Sequence, residues 1–281
     1  MPLEPLRPID TRHLFRPVST SLVALLRELA EPDWQRPTVA GSWQVRDIVA
    51  HLLDTTLRRL SFHRDGLAPP PPARAIASEA DFVAFINDLN AQWVTASHRL
   101  SPRVLTDLYE RASGDAADWW ESQALSTPAL FAVSWAGEDA SENWMDIGRE
   151  FTELWHHQQQ IRMAVDAESL SDPRYLRAVL GLGVRALPHA YRQVEAEPGT
   201  SVVLEVNGDA GSRWTLTRAA DRWTLAEGED GIAAARVRID DETAWRMLFN
   251  AFTEGMAAGR AIVTGRTELA SPLFRARSVI V

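Results

Sequence analysis

Apolar positions recur at helical spacing through most of the first 166 residues and at alternate positions beyond residue 200, so the chain reads as helical first and mixed afterwards. Residues 10–29 put Leu14, Val18, Leu22, Leu25, Leu26 and Leu29 on one stripe, which predicts a first helix. A turn-rich stretch, 31–43, ends at a candidate N-cap, Ser42. A second helix is predicted over 43–66, with Trp43, Val45, Ile48, Val49, Leu52, Leu53, Leu57 and Leu60 apolar and His51 in its middle. Gly66 stops it, and the prolines at 69–72 make a stiff extended linker. A third helix, 78–100, carries Phe82, Phe85, Ile86, Leu89 and Trp93 on its apolar side. Residues 102–111 suggest a short helix, whereas 119–139 mix aromatic and small residues without a period and read as loop. The clearest helix is 141–166, capped by Ser141 or Asn143, with Trp144, Ile147, Phe151, Leu154, Trp155, Ile161 and Val165 in register and Gly148 its one glycine. These four long helices predict an antiparallel four-helix bundle.

After residue 166 the texture changes. Residues 171–197 predict a helix broken near Pro188. From residue 200 the period becomes two: 201–206, 212–218, 222–227 and 234–240 read as strands joined by turns such as 207–211 and 227–231. A helix over 242–252, a strand over 260–265 and a terminal helix over 268–279 follow. The expected organisation is therefore α+β with two domains, a bundle over 1–168 and a smaller α+β domain over 169–281.

Composition narrows the chemistry. With no Cys among 281 residues, disulfides, thiolate nucleophiles and Cys-ligated metals are excluded. A net charge of −9 argues against a nucleic-acid binder. No signal core opens the chain and no segment is apolar for the ~18 residues of a membrane span, so a soluble, cytoplasmic protein is expected. All 29 basic residues are Arg, which reports genome composition rather than function.

The candidate chemistry lies in 153–157. Glu153 and His157 are four residues apart, about 40° around a helix, so one atom can touch both. Such a pair is often only a solvated helix face, and a lone His in a helix such as His51 is more often structural. Here the pair sits in a Trp-rich helix, and residues 158–162 (QQQIR) offer amides and a guanidinium to orient ligands. His51 with Glu153 and His157 would give two imidazoles, one carboxylate and an open position, the donor set of a catalytic zinc site. Competing motifs fail. The G-x-G-x-x-A run at 181–186 follows no strand, G-x-S-x-G and H-E-x-x-H are absent, and Glu153-x-x-His156, half of a di-iron site, has no second copy.

The segments PTVAGSWQVRDIVAHLLD (37–54) and ELWHHQQQIRMA (153–164) resemble the second- and fourth-helix signatures of the DinB-like superfamily, in particular the branch of mycothiol-dependent maleylpyruvate isomerase. The C-terminal stretch from ARVRID to SPLFRA resembles the sterol-carrier-like domain that accompanies the bundle there. The resemblance covers nearly the whole chain through short motifs. It implies metal ligands at His51, Glu153 and His157, leaves His156 outside the set, and implies an Arg from the C-terminal domain near the metal, for which Arg266 and Arg275 are the candidates. Where the family often has Asp, this chain has Gln160, so an acid that orients a ligand would be lost. The implied activity is a metal-dependent thiol S-transferase or isomerase. It would use zinc, or nickel, and a low-molecular-weight thiol such as mycothiol on a small electrophilic substrate, without nucleic-acid or membrane partners. The alternative on the same fold is a protein that binds a metal or small ligand without catalysis.

Overall fold

The structure is a computed structural model, and it describes residues 2–72, 74–229 and 231–279. The chain divides into two compact units, one of Thr11–Ala124 and Glu153–Leu170, the other of Met1–Asp10, Leu125–Thr152 and Ser171–Val281.

The first unit is helical. A 3-10 turn, Arg12–Leu14, leads into α1 (Phe15–Glu28), and α2 (Val45–Arg59) runs on through a π-helical turn, Leu60–Arg64. Next come α3 (Glu79–Ser97), α4 (Pro102–Ser122) and the C-terminal half of α5 (Asn143–Ala164). Val18, Leu22 and Leu26 of α1, Ile48, Val49 and Leu52 of α2, Leu105, Tyr109 and Trp120 of α4, and Leu154, Trp155 and Ile161 of α5 are buried and form the core. Each such side chain contributes roughly 1.5–3 kcal/mol on leaving water.

α4 is twice the length that 102–111 predicted. Ser101 caps it, its Oγ accepting the Val104 N–H at 3.4 Å, and Pro102 fills the first position, where its missing N–H costs nothing. Its buried row includes Thr106, Ala112, Ser113, Ala116 and Ala117, small or polar residues that hide the helical period from a hydrophobicity count. α4 runs antiparallel to α1: Phe15 stacks on Trp120 with centroids 5.3 Å apart, Arg16 pairs with Asp118, and Arg27 with Glu110 at 2.5 Å. α3 flanks α2 instead of closing the core. Its Trp93 Nε1 donates to the Ala50 carbonyl at 2.9 Å, and its Asn90 accepts from Arg58 at 3.0 Å.

The second unit carries a six-stranded sheet in the order β1-β4-β3-β2-β5-β6. The strands are β1 (Glu4–Pro5), β2 (Ser201–Asn207), β3 (Arg213–Arg218), β4 (Trp223–Glu227), β5 (Ala235–Asp240) and β6 (Ile262–Gly265). β2 and β5 are parallel and every other pair is antiparallel. The helix α6 (Pro173–Gly183) gives way to a 3-10 turn at Val184–Ala186 and then α7 (Leu187–Ala190), so the break falls just before Pro188, as expected. α8 (Asp241–Leu248) is capped by Asp240, whose Oδ1 accepts the Thr243 N–H at 2.7 Å. α9 (Glu254–Ala258) precedes β6, and α10 (Thr267–Ala270) tightens into a 3-10 turn, Ser271–Arg275, around Pro272 where a longer helix was predicted.

Two segments that come before residue 153 belong to this unit. β1 pairs with β4, and Val133, Trp135, Trp144 and Met145 cluster with Leu182 and Ala186. Gly148 makes the approach of α6 possible: a Cβ there would lie 2.5 Å from Leu182 Cδ2. The predicted single cut at residue 168 does not anticipate that these N-terminal segments pack with the sheet unit. The predicted architecture, a helical bundle region followed by an α+β sheet region, is the observed one.

Candidate metal centre

α2 delivers His51. It starts later than Ser42, because Asp47 turns back to accept the Gln44 N–H at 2.9 Å and makes Gln44 the N-cap. The other oxygen of Asp47 meets His98 Nε2 at 2.8 Å. With Val45, Ile48, Val49 and Leu52 fully or almost fully buried, the face that carries His51 turns inward. α5 delivers the rest. Its apolar row fixes the phase, and Glu153 and His157, one turn apart, look the same way.

The three predicted ligands meet. Glu153 Oε1 lies 3.4 Å from His51 Nε2 and 3.2 Å from His157 Nε2. One donor atom from each residue falls within 4.8 Å of the others, the one such group among the described residues. Around zinc, with bonds near 2.0–2.2 Å, adjacent tetrahedral donors stand about 3.3–3.6 Å apart, so the two measured edges are close to those of a ligated ion. The imidazoles sit edge to face, 76° and 4.9 Å apart. Trp43 walls the cluster, its ring 5.0 Å from that of His51 and 6.3 Å from that of His157. Both histidines are buried, while the Glu153 side chain keeps 29% of its surface exposed and marks the open side.

The charges suit a cation. Burial pushes His51 below its ordinary value and outweighs the pull of the neighbouring Glu153 carboxylate, so the ring stays neutral. Burial pushes the Glu153 carboxyl up, but the imidazoles around it, His156 first and then His157 and His51, overcome that and hold the group well below the usual carboxylate range. The cluster thus offers one anion and neutral nitrogen among buried walls.

The neighbouring residues divide their work. No acid stands here, as Gln160 implies, but its amide Oε1 lies 2.7 Å from His157 Nδ1 and can orient the ring in an acid's stead. Gln159 ties down the end of the unit, accepting the Leu170 N–H at 3.0 Å and donating to Ser169. Arg162, considered as an orienting group, instead clamps Ser21 and the Glu168 carbonyl, each at 2.7 Å. His156 is buried, with Nδ1 3.8 Å from Glu153 Oε2 and its ring 4.1 Å from that of His157. His51 Nδ1 is buried and has no hydrogen-bond partner. Arg266 and Arg275 lie in the second unit, where Arg266 pairs with Glu268 at 2.7 Å and Arg275, exposed, ends the 3-10 turn. Sequence reasoning misses the wall formed by Trp43; its only signal there is an aromatic residue just ahead of the His51 helix.

Comparison with known proteins adds an independent line. The family model described as the mycothiol maleylpyruvate isomerase N-terminal domain matches residues 15–162. A crystal structure of mycothiol-dependent maleylpyruvate isomerase is similar at a TM-score of 0.51 and 13% identity, covering 92% of this chain and 93% of that one. A mutant form of the same isomerase gives 0.53 and 15% over the same shares. At these identities the likeness speaks for the fold. A ubiquinone-synthesis protein described as UbiJ-SCP2 matches 32% of the chain at a TM-score of 0.24, too slight to carry an argument. No curated protein sequence matches the chain.

Proposed function

The chain belongs to the mycothiol maleylpyruvate isomerase N-terminal domain family, and from that premise we propose a metal-dependent enzyme that uses a low-molecular-weight thiol, of the mycothiol type, to transfer sulfur to a small electrophile or to isomerise it. The observation that carries this reading is the meeting of His51, Glu153 and His157 with donor spacings suited to a divalent ion. The donor set, two imidazoles and one carboxylate, fits zinc and accommodates nickel. A bound ion of this kind supplies Lewis acidity that lowers the pKa of a thiol sulfur and presents it as thiolate.

The remaining work falls to the chain itself. Without Cys it has no sulfur nucleophile of its own, so the thiol must come from a cosubstrate. Glu153 brings the one negative charge of the ligand set, and the neutral His51 adds no positive charge to oppose a cation. Trp43 closes one side with an apolar face that limits water. In the isomerisation, thiolate sulfur bonds to one carbon of an activated double bond while the π pair moves onto the activating carbonyl, the former double bond rotates as a single bond, and the pair returns to re-form it as the C–S bond breaks and the same thiolate leaves. Nothing is oxidised or reduced. For a carboxylate on the substrate, Arg266 and Arg275 are the proposed partners, each able to bind it with two parallel hydrogen bonds.

The test is a titration of the cobalt-substituted protein with mycothiol, with glutathione as a second thiol. A sulfur-to-cobalt charge-transfer band that saturates with thiol supports the reading. Cobalt bound with no such band would leave a metal-binding protein without thiol chemistry, and would overturn it.

A further inference from the structure

We propose that Gln160 is the positioning residue of this centre: its amide oxygen fixes the tautomer of His157 and does so without adding charge, leaving a bound metal more electrophilic than an acid at this position would. The proposal rests on the reading of the cluster as a metal site, and part of its test does not.

Gln160 is buried, three residues beyond His157 on α5, with Oε1 2.7 Å from His157 Nδ1. An amide oxygen only accepts, so Nδ1 carries the ring proton and donates it to Gln160. Nε2, 3.2 Å from Glu153 Oε1, is then the unprotonated nitrogen that a metal requires. His157 is therefore set for ligation in advance, whereas His51, with Nδ1 buried and unpartnered, has no such acceptor. Orientation of the donor set depends on the His157 side.

The choice of amide has a chemical consequence. A carboxylate hydrogen-bonded to a ligating imidazole raises the basicity of that ligand. It would pass electron density to the metal and weaken its pull on a bound thiol. With Gln160 neutral, Glu153 is the single anion of the ligand set, so a divalent ion keeps a net positive charge there. That favours thiolate over thiol in the open position.

Two variants test this, Gln160→Met, which keeps size and burial but accepts no hydrogen bond of comparable strength, and Gln160→Glu. In the metal-free protein, imidazole nitrogen NMR on labelled histidine reads the tautomer directly. The wild type is expected to hold His157 protonated on Nδ1, and Gln160→Met to show a mixture. Zinc affinity by chelator competition is expected to fall about 10–100-fold in Gln160→Met and to rise in Gln160→Glu. The pH midpoint of the cobalt–thiolate band is expected to move upward in Gln160→Glu. A merely structural Gln160 would leave both the tautomer and that midpoint where they are. A wild-type tautomer and affinity in Gln160→Met, or an unmoved midpoint in Gln160→Glu, overturns the proposal. A wild type that binds no zinc fails the metal reading instead, and the tautomer measurement still decides whether Gln160 positions His157.

Discussion

Replacing His157 by Ala removes one corner of the cluster, and the consequence can be sized from the contacts it makes. In the metal-free protein Gln160 loses its 2.7 Å partner, leaving a buried polar group underused. Such a loss costs about 1–3 kcal/mol, partly offset because the ring itself no longer has to be buried. In the metal-loaded protein a second effect dominates. An ion at one hundred times its dissociation constant stabilises the native state by about 2.7 kcal/mol. At roughly 3 °C per kcal/mol for a unit of this size, zinc should raise the wild-type melting midpoint by about 8 °C. With Glu153 and His51 alone the ion has two ligands, so the same zinc concentration should give the His157→Ala protein no resolved shift. Differential scanning fluorimetry with and without zinc, and with chelator as control, reads both numbers. A His157→Ala protein whose zinc-dependent shift equals that of the wild type would refute the ligand assignment, whatever its baseline stability.

Two further outcomes follow from the same contacts. His51 and Glu153 both titrate below their ordinary values in the folded chain. The metal-free protein should therefore hold their contribution above those values and lose it on acidification, His51 as pH falls below its ordinary 6.5 and Glu153 below its ordinary 4.5. Melting midpoints across that range should fall with pH, and Glu153→Gln should flatten the more acidic part; a midpoint that rises on acidification contradicts the assignment. In the sheet unit, Tyr191 donates to the buried Leu269 carbonyl at 2.7 Å, so Tyr191→Phe should cost about 1–3 kcal/mol in chemical denaturation and leave metal content unchanged.

Much of the fold is legible because it is written in large apolar residues. The rows of α1, α2 and α5 and the alternation of β2 to β5 are strong enough to give the elements to within a few residues. α4 is only half legible because its buried face is built of Ala, Ser and Thr, which pack helices closely but carry little hydrophobic signal. β1, two residues long, exists only through its pairing with β4, which no local pattern encodes. The same division holds at the centre. The Glu153–His157 pair is a local fact of helical spacing. That His51 meets it depends on packing between helices, and here family resemblance, not periodicity, points to it. Gln160 reads as a loss because sequence shows which residue type is present and not which hydrogen bond it makes.

The central claim is that His51, Glu153 and His157 hold a divalent metal. Elemental analysis of protein purified without an affinity tag, wild type beside His51→Ala, tests it most directly. The account predicts about one zinc or nickel per wild-type chain and its loss in a folded His51→Ala variant. A wild type free of metal after purification and zinc addition, or a variant that keeps the same metal content, would contradict it.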